Sequence, residues 1–218
     1  CYKMNMVPKN QTKLYGVNDY LIELINLYNN KKFPNKIILS GQKGIGKCTL
    51  AYHLINYILS TGEDNSYDIK NFSINKENRS YKLIQNGSNM NFVLIDVLAE
   101  KKNIDISQIR DLISNINKSS FNSKPRIILI DNIELLNNNS INALLKVVEE
   151  PNEGIFFILI DNNKNILDTL KSRCLNFRIS ISQKISLEII NKLLEADVYD
   201  LVSSDLLSYY FTPGQIYN

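Results

Sequence analysis

A glycine-rich loop set between an apolar run and a helical pattern constrains this chain more than any other feature. The run KIILS, Lys36 to Ser40, leads into GQKGIGKCTL and then TLAYHLINYIL, in which Leu50, Leu54, Tyr57 and Ile58 recur at helical spacing. Strand, loop and helix in that order are the context in which G-x-x-x-x-G-K-[S/T] holds phosphate. Backbone N–H groups surround the anion, and the helix N-terminus adds partial positive charge. Gly41, Gly44, Gly46 and Lys47 suit that task. At the position of the hydroxyl that holds Mg²⁺, however, stands Cys48, and a thiol is a poor ligand for so hard an ion. Thr49 does not replace it, because one step along a helix turns the side chain by about 100°.

The alternation recurs downstream. NFVLIDV, RIILID, IFFILID and LNFRIS read as strands, with ISQIRDLISNI, INALLKVVEE and NILDTLKSR between them as helices. Near-continuous apolar runs alternating with amphipathic helices predict an α/β fold whose five-stranded parallel sheet is covered on both faces. A length of 218 residues, 44% of them hydrophobic, accommodates an α/β domain over residues 1–181 and a partial helical lid domain over 182–218. Ser60 to Asn91 is polar and irregular, and is expected to be a surface excursion with little core of its own.

Composition excludes several classes. No apolar run approaches the roughly 20 residues that cross a bilayer, and CYKMNMVPKNQTK lacks the centre of a signal peptide, so a cytoplasmic protein is expected. Beginning on Cys1 suggests a fragment. The 3 cysteines lie far apart, without the pairing of a disulfide framework or a zinc site. A formal charge of +3 over the whole chain does not argue for nucleic acid, and the single His53 suggests no chemistry.

Two further positions bear on the loop. Asp131, ending RIILID, is the candidate to hold Mg²⁺ through water, but the next residue, which in a hydrolase would be the water-activating glutamate, is Asn132. Glu134 lies two residues out of place. In LKSRCLNF, Arg173 stands between a helix and the last strand. Alone it reads as a surface or ion-pair residue, whereas in an oligomeric ATPase an arginine at this edge can reach a γ-phosphate held by the next subunit. Cys174 reads as a small buried hydrophobe.

Together, GQKGIGKCTLA, ILIDNIELLNNNSINALLKVVEEP and FILIDNNKNILDTLKSRC resemble the clamp-loader branch of the AAA+ ATPases, and within it most resemble the δ′ type of bacterial DNA polymerase III subunit. The helix from Asn142 to Pro151 and the Ser172-Arg173-Cys174 triplet are specific to that branch. The resemblance runs from about Pro8 to Gln215. It implies a P-loop AAA+ domain in a ring-like assembly with subunits of δ and γ/τ types, which uses ATP to place a sliding clamp on primed DNA. A δ′-type subunit hydrolyses no ATP and offers its S-R-C arginine, here Arg173, to a neighbouring motor. Gly41, Gly44, Gly46, Lys47, Cys48, Thr49 and Asp131 would then form a vestigial nucleotide-type site. The P-G-R motif of active relatives corresponds to Pro213-Gly214-Gln215, with Gln215 in place of the sensor arginine. On this reading no cofactor is required, ATP or ADP binds weakly at most, and no zinc is expected, since Ser60 to Asn91 lacks the cysteines of zinc-binding relatives. The helical collar domain of a complete δ′ is missing. The alternative is an active γ/τ-like motor, which needs a Mg²⁺ site built with Cys48 and a base other than Asn132.

Overall fold

The computed structural model describes residues 7–116, 123–149, 153–162, 168–194 and 211–217. Its sheet is built from β1 (Lys36–Ser40), β2 (Phe92–Ile95), β3 (Arg126–Ile130), β4 (Ile155–Asp161) and β5 (Leu175–Arg178). All pairings are parallel, in the order β2-β3-β4-β1-β5. Successive side chains of a strand point to opposite faces, so each apolar run feeds two cores. Ile37, Leu39, Ile127, Leu129, Ile158 and Ile160 pack on one side with α1 (Asn18–Asn29) and α2 (Lys47–Ser60). Ile38, Ile128, Ile130, Phe157 and Leu159 pack on the other with α4 (Ile106–Ile116) and α5 (Asn138–Glu149). Cys174 is buried in this second core, as a small hydrophobe should be. A short α6 (Asp168–Lys171) precedes β5, and α7 (Gln183–Leu194) follows it; a last helical turn spans Pro213–Tyr217. Part of the expected lid, 195–210, lies outside the described residues, as does the first third of NILDTLKSR. No helix among the described residues is long and apolar enough to cross a membrane.

Ser60 to Asn91 departs from expectation. Rather than a coreless excursion, it buries Tyr67, Ile74 and Ile84 in the first core and forms α3 (Arg79–Gln85). A few of its polar residues, Asn78 and Ser80 among them, are turned inward to satisfy backbone. The Asn78 side chain, fully buried, accepts from Tyr81 N–H at 2.8 Å and so caps α3. The Ser80 hydroxyl donates to Leu59 O at 2.9 Å and bonds Glu63 Oε1 at 2.6 Å. Polarity signals exposure only where such bonds are lacking.

His53, on α2, is fully buried between Tyr67 Oη at 2.8 Å from Nδ1 and Gln11 O at 3.1 Å from Nε2. A carbonyl only accepts, so Nε2 carries the proton and Nδ1 accepts from the tyrosine. Burial pushes the imidazole down from 6.5 to about 4, against the opposing pull of the Gln11 carbonyl. The folded state therefore refuses a proton that the unfolded chain accepts. Stability should be flat above pH 6.5 for this group, fall by about 3 kcal/mol as pH drops towards 4, and level off below. Urea midpoints measured across that range in the wild type and in His53→Gln should show the steeper fall in the wild type; parallel curves would refute the assignment.

Candidate functional site

The loop sits where β1 ends and α2 begins. Gly44 has φ +88°, and a Cβ there would stand 2.5 Å from Thr212 Oγ1, so both backbone conformation and space require glycine. Lys47 opens α2 and is buried; its Nζ donates to Gly41 O at 2.8 Å and Gln42 O at 2.6 Å. Burial lowers its ammonium from 10.5 to about 8, opposed by the carboxylates of Asp131, Asp161 and Glu134. A cation held against loop carbonyls with carboxylates behind it is poised to exchange those carbonyls for an anion.

Beside the loop, the carboxyl ends of three strands carry a polar chain. The Asn132 amide donates to Asp96 Oδ1 at 2.8 Å, and the Asn162 amide donates to Asn132 Oδ1 at 3.0 Å and to Glu134 Oε1 at 2.9 Å. Asn132 takes a left-handed backbone, φ 55°, and its N–H donates to Asp131 Oδ1 at 2.8 Å. The Cys48 thiol lines the same cleft beside the Asp131 carboxylate. Burial, then the neighbouring carboxylates of Asp131 and Asp96, push the thiol well above its usual range; burial likewise raises Asp131, with the adjacent thiol pulling the other way.

Magnesium does not fit these residues. Its first expected ligand is a thiol that burial keeps protonated, and a hard cation prefers oxygen. Among the described residues no group of three or more His, Cys, Asp or Glu is arranged to hold a metal. Asn132, bonded on both sides as an amide, is no base. Phosphate fits better, because Lys47 and the glycine-rich backbone need no metal to meet an anion.

A cleft of about 230 Å³ runs from this loop between Pro8–Val17 and α7. Gly44, Gly46, Lys47, Cys48, Thr49 and Asp131 line one end, and Leu14, Val17, Ile189 and Leu193 the other. One end is thus polar and cationic, the other apolar, as a nucleotide's phosphates and base would require. The last helical turn closes over the loop: Gly214 N–H donates to Gly44 O at 3.0 Å. Thr212-Pro213-Gly214-Gln215 has the S/T-x-x-E/Q spacing of a capping box, and Gln215 Oε1 accepts from Thr212 N–H at 2.9 Å. Gln215 thereby serves its own helix end.

Arg173 lies elsewhere. It precedes β5, whose Leu175 pairs with Ile37 near the start of β1, whereas the loop follows the end of β1. Roughly 15–20 Å of strand separates the two at about 3.3 Å per residue. The guanidinium is exposed and bonded to Glu149 Oε1 at 2.8 Å and to Thr169 O at 2.8 Å. It does not meet the site of its own chain.

Sequence reasoning passed over Asp96 and Asn162. The signal was present, since VLID, ILID and ILID each end a strand on Ile-Asp and a parallel sheet brings such ends to one edge.

A family model described as DNA polymerase III, delta subunit, matches residues 17–183. The chain is 31% identical to DNA polymerase III subunit gamma of Buchnera aphidicola subsp. Schizaphis graminum, over 80% of this chain and 46% of that one. It is 29% identical to subunit delta' of the same organism, over 73% and 47%. The chain thus spans about half the length of the curated relatives it matches. Among solved structures, a DNA polymerase III gamma subunit-related protein from Thermotoga maritima shares the fold, with TM-score 0.51 and 17% identity over 85% of this chain and 60% of that one.

Proposed function

Since the chain belongs to the DNA polymerase III delta-subunit family of clamp-loader proteins, we propose that it is the δ′-type, non-hydrolysing member of a loader. It has an α/β P-loop fold of AAA+ type, with a five-stranded parallel sheet between helices. In this role it joins δ- and γ/τ-type subunits in placing the sliding clamp on primed DNA, and lends Arg173 to a neighbouring motor. The observation that carries the reading is the Asn132 amide, bonded to Asp96 and to Asn162 at the position where a hydrolase keeps its water-activating glutamate. Cys48, a thiol where Mg²⁺ would take a hydroxyl, and Gln215, whose amide serves its own helix end, support it. Arg173 is exposed at the end of the sheet away from its own loop, which is compatible with service to a neighbouring subunit.

Titration with a fluorescent ATP analogue tests this directly. Binding should be equal with and without Mg²⁺, weaken by about tenfold or more in Lys47→Ala, and be accompanied by no turnover. The second reading, a γ/τ-like motor, draws on Glu134, a carboxylate that the fold brings to Asn162 beside Lys47. Tight Mg²⁺-dependent binding, with hydrolysis abolished by Lys47→Ala, would favour it.

A further inference from the structure

For an exposed arginine, Arg173 is closely held. Its Nε and Nη2 both meet Glu149 Oε1 at 2.8 Å, and its Nη1 donates to Thr169 O at 2.8 Å and to Ser172 Oγ at 3.2 Å. A guanidinium has five N–H groups, and these contacts direct four of them at the arginine's own chain. The Nε–Nη2 edge is one of the forks with which arginine grips an oxyanion. Glu149 and a phosphate are therefore rivals for the same two donors.

Placement favours an exchange between them. Glu149 closes α5 and Arg173 follows α6, so two separate helix ends bring the pair together. Their side chains are 52% and 37% exposed, so water and salt weaken the pair, and a phosphate of higher charge can displace the carboxylate at little cost. The contact restrains the arginine without locking it.

We infer that Glu149 is a positioning residue for the trans arginine, sheathing its Nε–Nη2 edge until a phosphate on the neighbouring subunit displaces the carboxylate. The inference rests on the role proposed above for Arg173. Glu149→Gln keeps the size of the side chain but removes the charge that competes. In Glu149→Asp the charge stays, at slightly shorter reach.

The experiment uses the chain reconstituted with the motor subunits of its loader, and reads ATP turnover without clamp or DNA. Glu149→Gln should raise this basal rate by about two- to fivefold, the range set by a half-exposed ion pair, and Glu149→Asp should return it towards wild type. The gain should shrink at high salt, where the wild-type pair is already screened. In the free chain, solvent exchange of the Arg173 Nε proton, followed by NMR, should quicken in Glu149→Gln, a readout independent of assembly. A basal rate unchanged or lowered by Glu149→Gln, where Arg173→Ala does reduce turnover, overturns the sheath and leaves the trans arginine standing. Turnover undiminished in Arg173→Ala overturns both.

Discussion

Arg173→Ala should leave the chain folded and reduce ATP hydrolysis at the adjoining motor site by about 10³-fold, the lower end of what a trans arginine supplies. In a ring where other subunits serve further motor sites, the loss measured over the whole assembly should be smaller. Two features of the structure separate these effects. The arginine's ion pair with Glu149 is half exposed, so its removal costs the fold no more than about 1 kcal/mol. Its distance from the loop of its own chain means that no change in nucleotide binding by this subunit should accompany the loss. Clamp-stimulated ATPase, the melting temperature and the nucleotide affinity of the free subunit measure these separately. Arg173→Lys should rescue little, since an ammonium lacks the planar fork. Full clamp-stimulated turnover with Arg173→Ala would remove the assignment.

Gly41→Ala should act in the opposite manner, unsettling the fold itself. Gly41 has φ +152°, and a Cβ placed on it would stand 2.3 Å from the carbonyl oxygen of Ile179 and 2.9 Å from Ile45 Cδ1. The first of these neighbours is backbone, held in place because Ile179 N–H donates to Ser40 O at 2.7 Å. Relief requires the chain after β5 to move off β1. Strain and overpacking together should cost about 2–5 kcal/mol. Urea denaturation should show the loss. Because the movement begins at the edge strand, amide exchange should rise first in β5 and last in β3, which lies deeper in the sheet. A variant of wild-type stability would mean that the loop and the Ile179 turn are not in contact.

The strands were the most legible part of the sequence, because strands covered on both faces must be apolar throughout. KIILS matches β1 residue for residue, and RIILID and IFFILID contain β3 and β4. Less legible was α1, although Leu21, Leu24 and Ile25 stand at helical spacing and are buried. The segment from Ser60 to Asn91 misled because asparagine and serine were read as surface residues. Asn78 and Ser80 instead spend their polar groups on Tyr81 N–H and Leu59 O in the interior. At the site, loop chemistry followed from local spacing, so Gly44, Gly46, Lys47, Cys48 and Asp131 meet in one cleft. Asp96, Asn162 and Glu149 act through partners 24 or more positions away in sequence, and such pairings become visible only when the sheet order is known.

The polar chain above the strands also bears on how this subunit could change over generations. Asn132 joins Asp96 to Asn162 through both ends of its amide. A glutamate there would supply a base but set a further carboxylate beside Asp96 and Asp131, where Lys47 already faces Asp131, Asp161 and Glu134. A hydroxyl at position 48, acquired alone, would offer an oxygen to Mg²⁺ but supply no base. Each single step towards hydrolysis is thus neutral or costly by itself, and only their combination yields a working site. If this subunit is the non-hydrolysing member proposed above, the mutual dependence of these parts would hold it there, in the manner of a ratchet.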